Sequence, residues 1–359
     1  MNRRSFLKTS AAAAVAQALP WDSAFAAIQG WRGYEITTRV EIMRPSGVSR
    51  AWIPLPAVDD EWQQVIGNSW SGNAARMQVM NDGKYGVSML YAEWPAGSAN
   101  PVVEVTSQVR TRDRATDLSR PGRSPDLSAS DRAFFTAPTE MIPTDGIVKK
   151  TALDITKGAK TDVQKGRALY EWIVENTFRD PKVRGCGIGD VKAMLETGNL
   201  GGKCADLNAL YVGMARSLGI PARDIYGIRV APSEYGYKSL GTGSANVTKA
   251  QHCRAEFFAQ GHGWVAVDPA DVRKVALEEP PGKMALNDAK VVAARKRLFG
   301  SWEMNWLAYN NGHDVKLPNS TGPQIPFLMY VNAETGGERL DQLDPDSLGY
   351  SISSWDIKA

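Results

Sequence analysis

The feature that most restricts this chain is a helix bounded at both ends, with a cysteine in its first turn. Gly201-Gly202-Lys203-Cys204-Ala205-Asp206-Leu207 opens a run that ends at Gly219-Ile220-Pro221. A glycine pair lets the backbone bend tightly and approach another group closely. Leu207, Leu210, Tyr211, Met214 and Leu218 then recur at helical spacing and mark one apolar stripe. Gly219 stands where a left-handed cap belongs, and Pro221 forbids continuation. Cys204 therefore falls at the helix N-terminus, where unpaired N–H groups and the helix dipole favour a thiolate. Taken alone, a cysteine on an apolar stripe is more often a small core residue. Its partners decide the matter.

Patterns on either side of this helix set the fold class. Residues 27–114 read as an N-terminal antiparallel β domain of sandwich type. Tyr34, Ile36, Thr38, Val40 and Ile42 alternate with polar residues, and further strands fit 50–56, 76–80, 85–94 and 102–111. Asn81-Asp82-Gly83 is a turn between two of them. This part has neither histidine nor cysteine, which assigns it a scaffolding or substrate-positioning role. Residues 115–130, rich in Pro, Gly and Ser, form a linker.

The stretch 131–300 changes period. Thr161-Asp162-Val163-Gln164 has the form of a capping box before an apolar helical face, and 190–197 fits a short helix before Cys204. Strands are expected at 222–230, 251–259 and 264–267, with a basic helix over 285–299. The loop 231–249 is long enough to border a cleft. A β extension, 301–359, is expected to pack on this core. Helices followed by an antiparallel sheet define an α+β domain, here a helix with an N-terminal cysteine packed on the sheet.

Residues 1–26 carry Arg3-Arg4, an alanine-rich run and Ala24-Phe25-Ala26 with small residues at the −3 and −1 cleavage positions. The segment resembles a twin-arginine signal, which implies the twin-arginine export machinery as a partner and a periplasmic or secreted product. The formal charge is +3; removing Arg3, Arg4, Lys8 and Asp22 takes away a net +2 and leaves about +1. So neutral a chain makes no electrostatic case for nucleic acid. No other stretch approaches the ~20 apolar residues of a stable membrane span.

Export bears on the three cysteines, Cys186, Cys204 and Cys253. An odd count in an oxidising compartment suggests one pair and one free thiol, with Cys186–Cys253 the candidate bridge. Three reduced thiols are the preferred expectation, because twin-arginine cargo folds in a reducing cytoplasm before export.

A cysteine nucleophile needs a base, and the base needs an acceptor that fixes its tautomer. Of three histidines, His262 lies in a Gly-flanked hairpin turn and is expected in solvent. His313, beside Asp314, is expected in another solvated turn, with the substrate cleft as the alternative. His252 lies on a strand, and Asp268 ends the next one. The two share a face only if the hairpin loop has an odd number of residues or a bulge; a two-residue turn would send them to opposite sides.

Gly-Gly-Lys-Cys204-Ala-Asp, Arg216-Ser-Leu-Gly-Ile-Pro-Ala-Arg223, His252-Cys-Arg-Ala-Glu256 and Gly263-Trp-Val-Ala-Val-Asp268-Pro269 resemble the transglutaminase-like superfamily over roughly 186–274. The resemblance is looser over Trp52-Ile-Pro-Leu-Pro56. It implies a papain-like α+β core and maps nucleophile, base and orienting acid onto Cys204, His252 and Asp268. Two positions depart from the family pattern: Arg254 replaces a usual aromatic, with consequences for the acyl group accepted, and Ala270 replaces a usual hydroxyl residue. The implied function is exported, thiol-dependent acyl transfer on peptide or isopeptide substrates, with hydrolysis favoured over cross-linking. The alternative is a non-catalytic peptide- or glycan-binding module. No cofactor and no metal are expected, since the histidines are scattered and no C-x-x-C pair occurs.

Overall fold

A computed structural model describes residues 30–120 and 122–357, so the expected signal segment, 1–26, lies outside the described residues. Two antiparallel sheets face each other in the N-terminal part. The first runs in the order Tyr350–Ile357, Arg32–Glu41, Val102–Thr111, Gln63–Gly72. The second runs Glu338–Arg339, Asn332–Thr335, Ser49–Pro54, Ser88–Trp94, Arg76–Asn81. Alternation in Arg32–Glu41 sends Tyr34, Ile36, Thr38 and Val40 inward, as the period of two requires. They meet Ile53, Leu90, Ala92 and Trp94 from the opposite sheet in one apolar interior.

Residues 301–359 do more than pack on the core. Trp306–Asn310 pairs with Ala222–Arg229 and forms an edge of the core sheet. The later strands complete both N-terminal sheets, and Tyr350–Ile357 pairs along Arg32–Glu41. Gln63–Gly72 is a strand without a sequence signal. It is glycine-interrupted and only partly buried at a sheet edge, so no alternation marks it.

The core sheet runs Gly263–Val267, Gln251–Ala259, Ala222–Arg229, Trp306–Asn310. The helix Cys204–Ser217 lies against it, and all fourteen of its residues are buried rather than one stripe. Small residues on the second face explain this. A Cβ on Gly213 would stand 3.0 Å from Ile142, and the helices Gly146–Ile155, Asp162–Asn176 and Val191–Thr197 close over that side. Gly219 caps the helix end at φ +76°, as its sequence position predicts. The fold is thus α+β: an antiparallel sandwich followed by a helix-on-sheet core.

The sheet's other face carries Trp62, Trp302 and Trp306 with Ile225 and Ala266. Arg114 at the end of the sandwich reaches the buried Glu256, which also holds Arg223. The sandwich is thereby tied to the strand that carries His252.

Candidate active site

Three features hold Cys204 at the head of its helix. The Ala205 N–H donates to the Cys186 carbonyl at 2.9 Å. Asp206 accepts from the Lys203 N–H through Oδ2 at 2.9 Å, and from the Ile188 and Gly189 N–H groups through Oδ1 at 3.1 and 3.0 Å. One carboxylate thus fastens the 186–189 turn to the helix start, where negative charge is also favoured by the dipole. Gly187, at φ +89°, is required here, because a Cβ would stand 1.9 Å from Asp206 Oδ2.

The hairpin joining Gln251–Ala259 to Gly263–Val267 closes with Ala259 opposite Gly263, leaving the three residues 260–262 in the turn. Three is odd, and Gly261 and Gly263 both take positive φ. His252 and Asp268 consequently reach the same side: His252 Nε2 lies 2.8 Å from Asp268 Oδ2. Asp268 also caps the following helix, Pro269–Glu278, accepting the Asp271 N–H through Oδ1 at 3.0 Å. Strand end and helix cap are one residue. The backbone flanking the imidazole is fixed as well, since Trp306 Nε1 donates to His252 O at 2.9 Å and Asn208 Nδ2 to Cys253 O at 2.8 Å.

With Nε2 committed to Asp268, the other imidazole nitrogen is left for Cys204, which lines the same cleft wall as His252 and Cys186. Burial opposes a thiolate at Cys204. The Cys186 and Cys253 thiols, then the charge and hydrogen bond of His252, outweigh it and hold the group well below the usual thiol range. Burial and Arg229 likewise oppose a charged His252, while Asp271, Asp268 and the Cys204 thiolate raise it above its ordinary value. Both shifts run in the direction of a thiolate–imidazolium pair.

Sequence reasoning missed Asp271. Its Oδ2 lies 3.4 Å from His252 Nε2, and both its oxygens bind Arg229 Nη2, at 2.6 and 2.8 Å. Spacing gave a clue, because an acid three residues past an Asp-Pro cap falls in the first turn of the helix. Among the described residues, His252, Asp268 and Asp271 form a group whose donor atoms lie within 4.8 Å of one another, the usual reach of a metal site. The cationic places around it already hold guanidiniums. Arg229 pairs with Asp271, and Arg254 Nε stands 3.6 Å from Asp268 Oδ2.

Arg254 does not reach the cleft. It is 2% exposed, its Nη1 donates to Glu303 O at 2.8 Å, and its guanidinium lies over Trp306. The effect on acyl-group choice expected from this position is corrected accordingly: Arg254 backs Asp268 from beneath. His313 is also corrected. It is a buried residue, Nε2 3.5 Å from Asp224 Oδ2 and Nδ1 3.4 Å from the Tyr226 hydroxyl, in neither a solvated turn nor the cleft. His262 is half-buried and contacts the Asp117 carbonyl through Nδ1 at 3.2 Å, because the linker lies across its hairpin. All three cysteines are free and buried, so no Cys186–Cys253 bridge is formed.

A cleft of about 870 Å³ opens beside Cys204, Cys186 and His252. Its far wall comes from the loop expected to border a cleft, including Thr242, Ser244 and Asn246, and from Tyr350 and Ser351 of the last strand.

A cysteine at a helix head, set against a sheet that carries a histidine–aspartate contact, defines a papain-like class of protein. Residues 149–269, which include Cys204, His252 and Asp268, match the model of the transglutaminase-like superfamily, and residues 1–20 match the twin-arginine translocation pathway signal sequence. The chain belongs to the transglutaminase-like superfamily and is an exported, periplasmic or secreted member. Among the described residues, no helix is long and apolar enough to cross a membrane.

An uncharacterised Haemophilus influenzae protein is 37% identical over 339 residues, covering 89% of this chain and 90% of that protein. A candidate cysteine protease of Cytophaga hutchinsonii shares the fold, with TM-score 0.56 at 13% identity and 92% of each chain covered. The periplasmic domain of TgpA from Pseudomonas aeruginosa aligns at TM-score 0.33 and 14% identity, over 69% of this chain and 90% of that domain.

Proposed function

We propose that this protein is an exported thiol-dependent acyl-transfer enzyme that cleaves amide bonds, peptide or isopeptide, through Cys204, His252 and Asp268. The observation that carries the reading is the 2.8 Å contact between His252 Nε2 and Asp268 Oδ2 behind a cysteine at a helix head. The fold shared with a candidate cysteine protease supports it.

Chemistry follows from the charges. The Cys204 thiolate attacks the carbonyl carbon, and the negative charge that builds on its oxygen is met by the Cys204 N–H, which at the first helical position has no intrahelical acceptor. The His252 nitrogen facing Cys204 gives its proton to the departing amine as the C–N bond breaks and a thioester forms. A water then gives a proton back to His252 while its oxygen attacks the thioester. The acid leaves and the thiolate is restored. Asp268 holds the imidazole and balances its charge throughout. Hydrolysis is favoured over cross-linking by analogy with the candidate cysteine protease that shares the fold.

The test is the pH profile of Cys204 alkylation in wild type, His252→Ala and Asp268→Ala. An early-onset thiolate that both substitutions weaken is expected. Three superimposable profiles, each with the ordinary thiol onset near pH ~8.5, would instead fit a binding module without catalysis. A peptide library screened with and without added amine then separates hydrolysis from transfer.

A further inference from the structure

The walls of the cleft carry more positive charge than the fold neutralises. Arg179, Lys203, Arg229, Lys249 and Lys274 line it, against a single lining carboxylate, Asp346. Arg229 is matched by Asp271 behind it, at 2.6 Å. At the rim Lys249 stands 3.8 Å from Asp346, both well exposed. Two cations share one acid: Arg179 and Lys274 both pair with Glu278, the lysine at 3.8 Å. Lys203, adjacent to the nucleophile, lines the cleft, and its backbone N–H is bonded to the Asp206 carboxylate. Counted by side-chain ion pairs among the described residues, two positive charges are left over, one from Lys203 and one from the Arg179–Lys274–Glu278 set, both on walls that also hold Cys204.

Burial of Lys274 sharpens the imbalance. Its side chain is 20% exposed; burial, then the nearby Arg229, pushes its pKa down, while Asp271 and Glu278 pull it up. A cleft lined by one sign of charge between low-dielectric walls concentrates ligands of the opposite sign.

We infer that the cleft selects substrates bearing a carboxylate close to the scissile acyl group, received by Lys203 and Lys274. This rests on the reading of Cys204 as nucleophile and names the class of peptide that it cleaves. The carboxylate comes from an acidic side chain or from a free peptide C-terminus; the recognition chemistry is the same for both.

Chloroacetyl probes test it on the mature chain, with Cys204 displacing chloride to form a thioether. Chloroacetyl-Glu-amide is compared with chloroacetyl-Gln-amide for a side-chain carboxylate. Chloroacetyl-Gly with a free acid is compared with its amide for a terminal one. The acid member of at least one pair is expected to react about three- to tenfold faster, the effect of one nearby charge at intermediate dielectric. The pair that shows the preference identifies the source. The preference should shrink toward unity in Lys203→Gln/Lys274→Gln. In wild type it should shrink likewise in about 1 M salt, where the screening length is about 3 Å. That salt arm needs no variant to fold. Rapid alkylation of Cys204 with equal rates in both pairs would overturn the inference while leaving the catalytic reading standing. A Cys204 that reacts no faster than an ordinary thiol would take down both.

Discussion

His252 Nε2 lies 2.8 Å from Asp268 Oδ2 and 3.4 Å from Asp271 Oδ2, so one imidazole is shared by two carboxylates, each with its own arginine behind it. The two acids should not be equivalent. Asp268→Asn removes the nearer charge that favours the imidazolium, and Cys204 alkylation at about pH 6 is expected to slow by about tenfold or more. Asp271→Asn strips Arg229 of its bidentate partner while the guanidinium stays buried, so stability is the larger loss, about 3–5 kcal/mol. Alkylation rates read beside urea melts separate the two; equal effects on both measurements would remove the distinction.

The thiol neighbours of Cys204 make a second prediction. The neighbouring Cys186 and Cys253 thiols favour the thiolate form, and their own pKa values are pushed up, by Cys204 and burial for Cys186 and by burial first for Cys253. Alkylation should begin well below the ordinary thiol onset of ~8.5 and stay high as pH rises. Acyl transfer also needs the imidazolium, whose pKa is raised, so activity should fall only above the ordinary histidine range of about 6.5. Cys186→Ala is expected to move the alkylation onset upward by about one pH unit, the worth of one hydrogen bond to a charged group. An unmoved onset would show that Cys186 is only a neighbour.

On the helix-covered face of the sheet, Asp224 is buried without a hydrogen-bonding partner for either oxygen among the described residues, 3.5 Å from His313. Burial pushes its pKa up to about 7. The folded state therefore binds a proton that the unfolded chain has released, and stability falls as pH climbs from about 4 to about 7 and stays lower above that. Asp224→Asn should remove this penalty. It should raise the unfolding free energy at pH 8 by an amount on the order of 1–4 kcal/mol, read from urea melts, and change little at pH 4. Equal stabilisation at both pH values would contradict this account.

Gly187 gives a fourth prediction. Its φ of +89° and the Asp206 carboxylate leave no room for a side chain. Gly187→Ala should cost at least about 1–3 kcal/mol from backbone strain alone. It should also slow Cys204 alkylation, because the same carboxylate holds the helix head. Full reactivity in a destabilised variant would uncouple the turn from the site.

How far the sequence reached depended on distance along the chain. The helix from Cys204, its Gly219 stop and the strand 251–259 were legible because period and punctuation are local signals. Strand alternation also requires an odd turn to bring His252 to Asp268, and the three-residue turn 260–262 meets that condition. Asp271 with Arg229 and Cys186 beside Cys204 were not legible. They meet across 42 residues in the first case and through a glycine turn in the second. Arg254 read as a cleft residue because alternation assigns a face and says nothing about what covers it. The C-terminal strands were readable as strands, but no local signal tells a strand which sheet it will join.

That last pairing has a consequence for the life of the molecule. Gly33 faces Ile357 across a ladder that continues to Val40 and Tyr350, and Tyr350 and Ser351 also wall the cleft. The first sheet cannot close until residue 357 has left the ribosome. A nascent chain therefore carries its export address long before it has either a finished sandwich or a finished cleft. Since twin-arginine cargo travels folded, export from the cytoplasm has to wait for the strand Tyr350–Ile357 to be made.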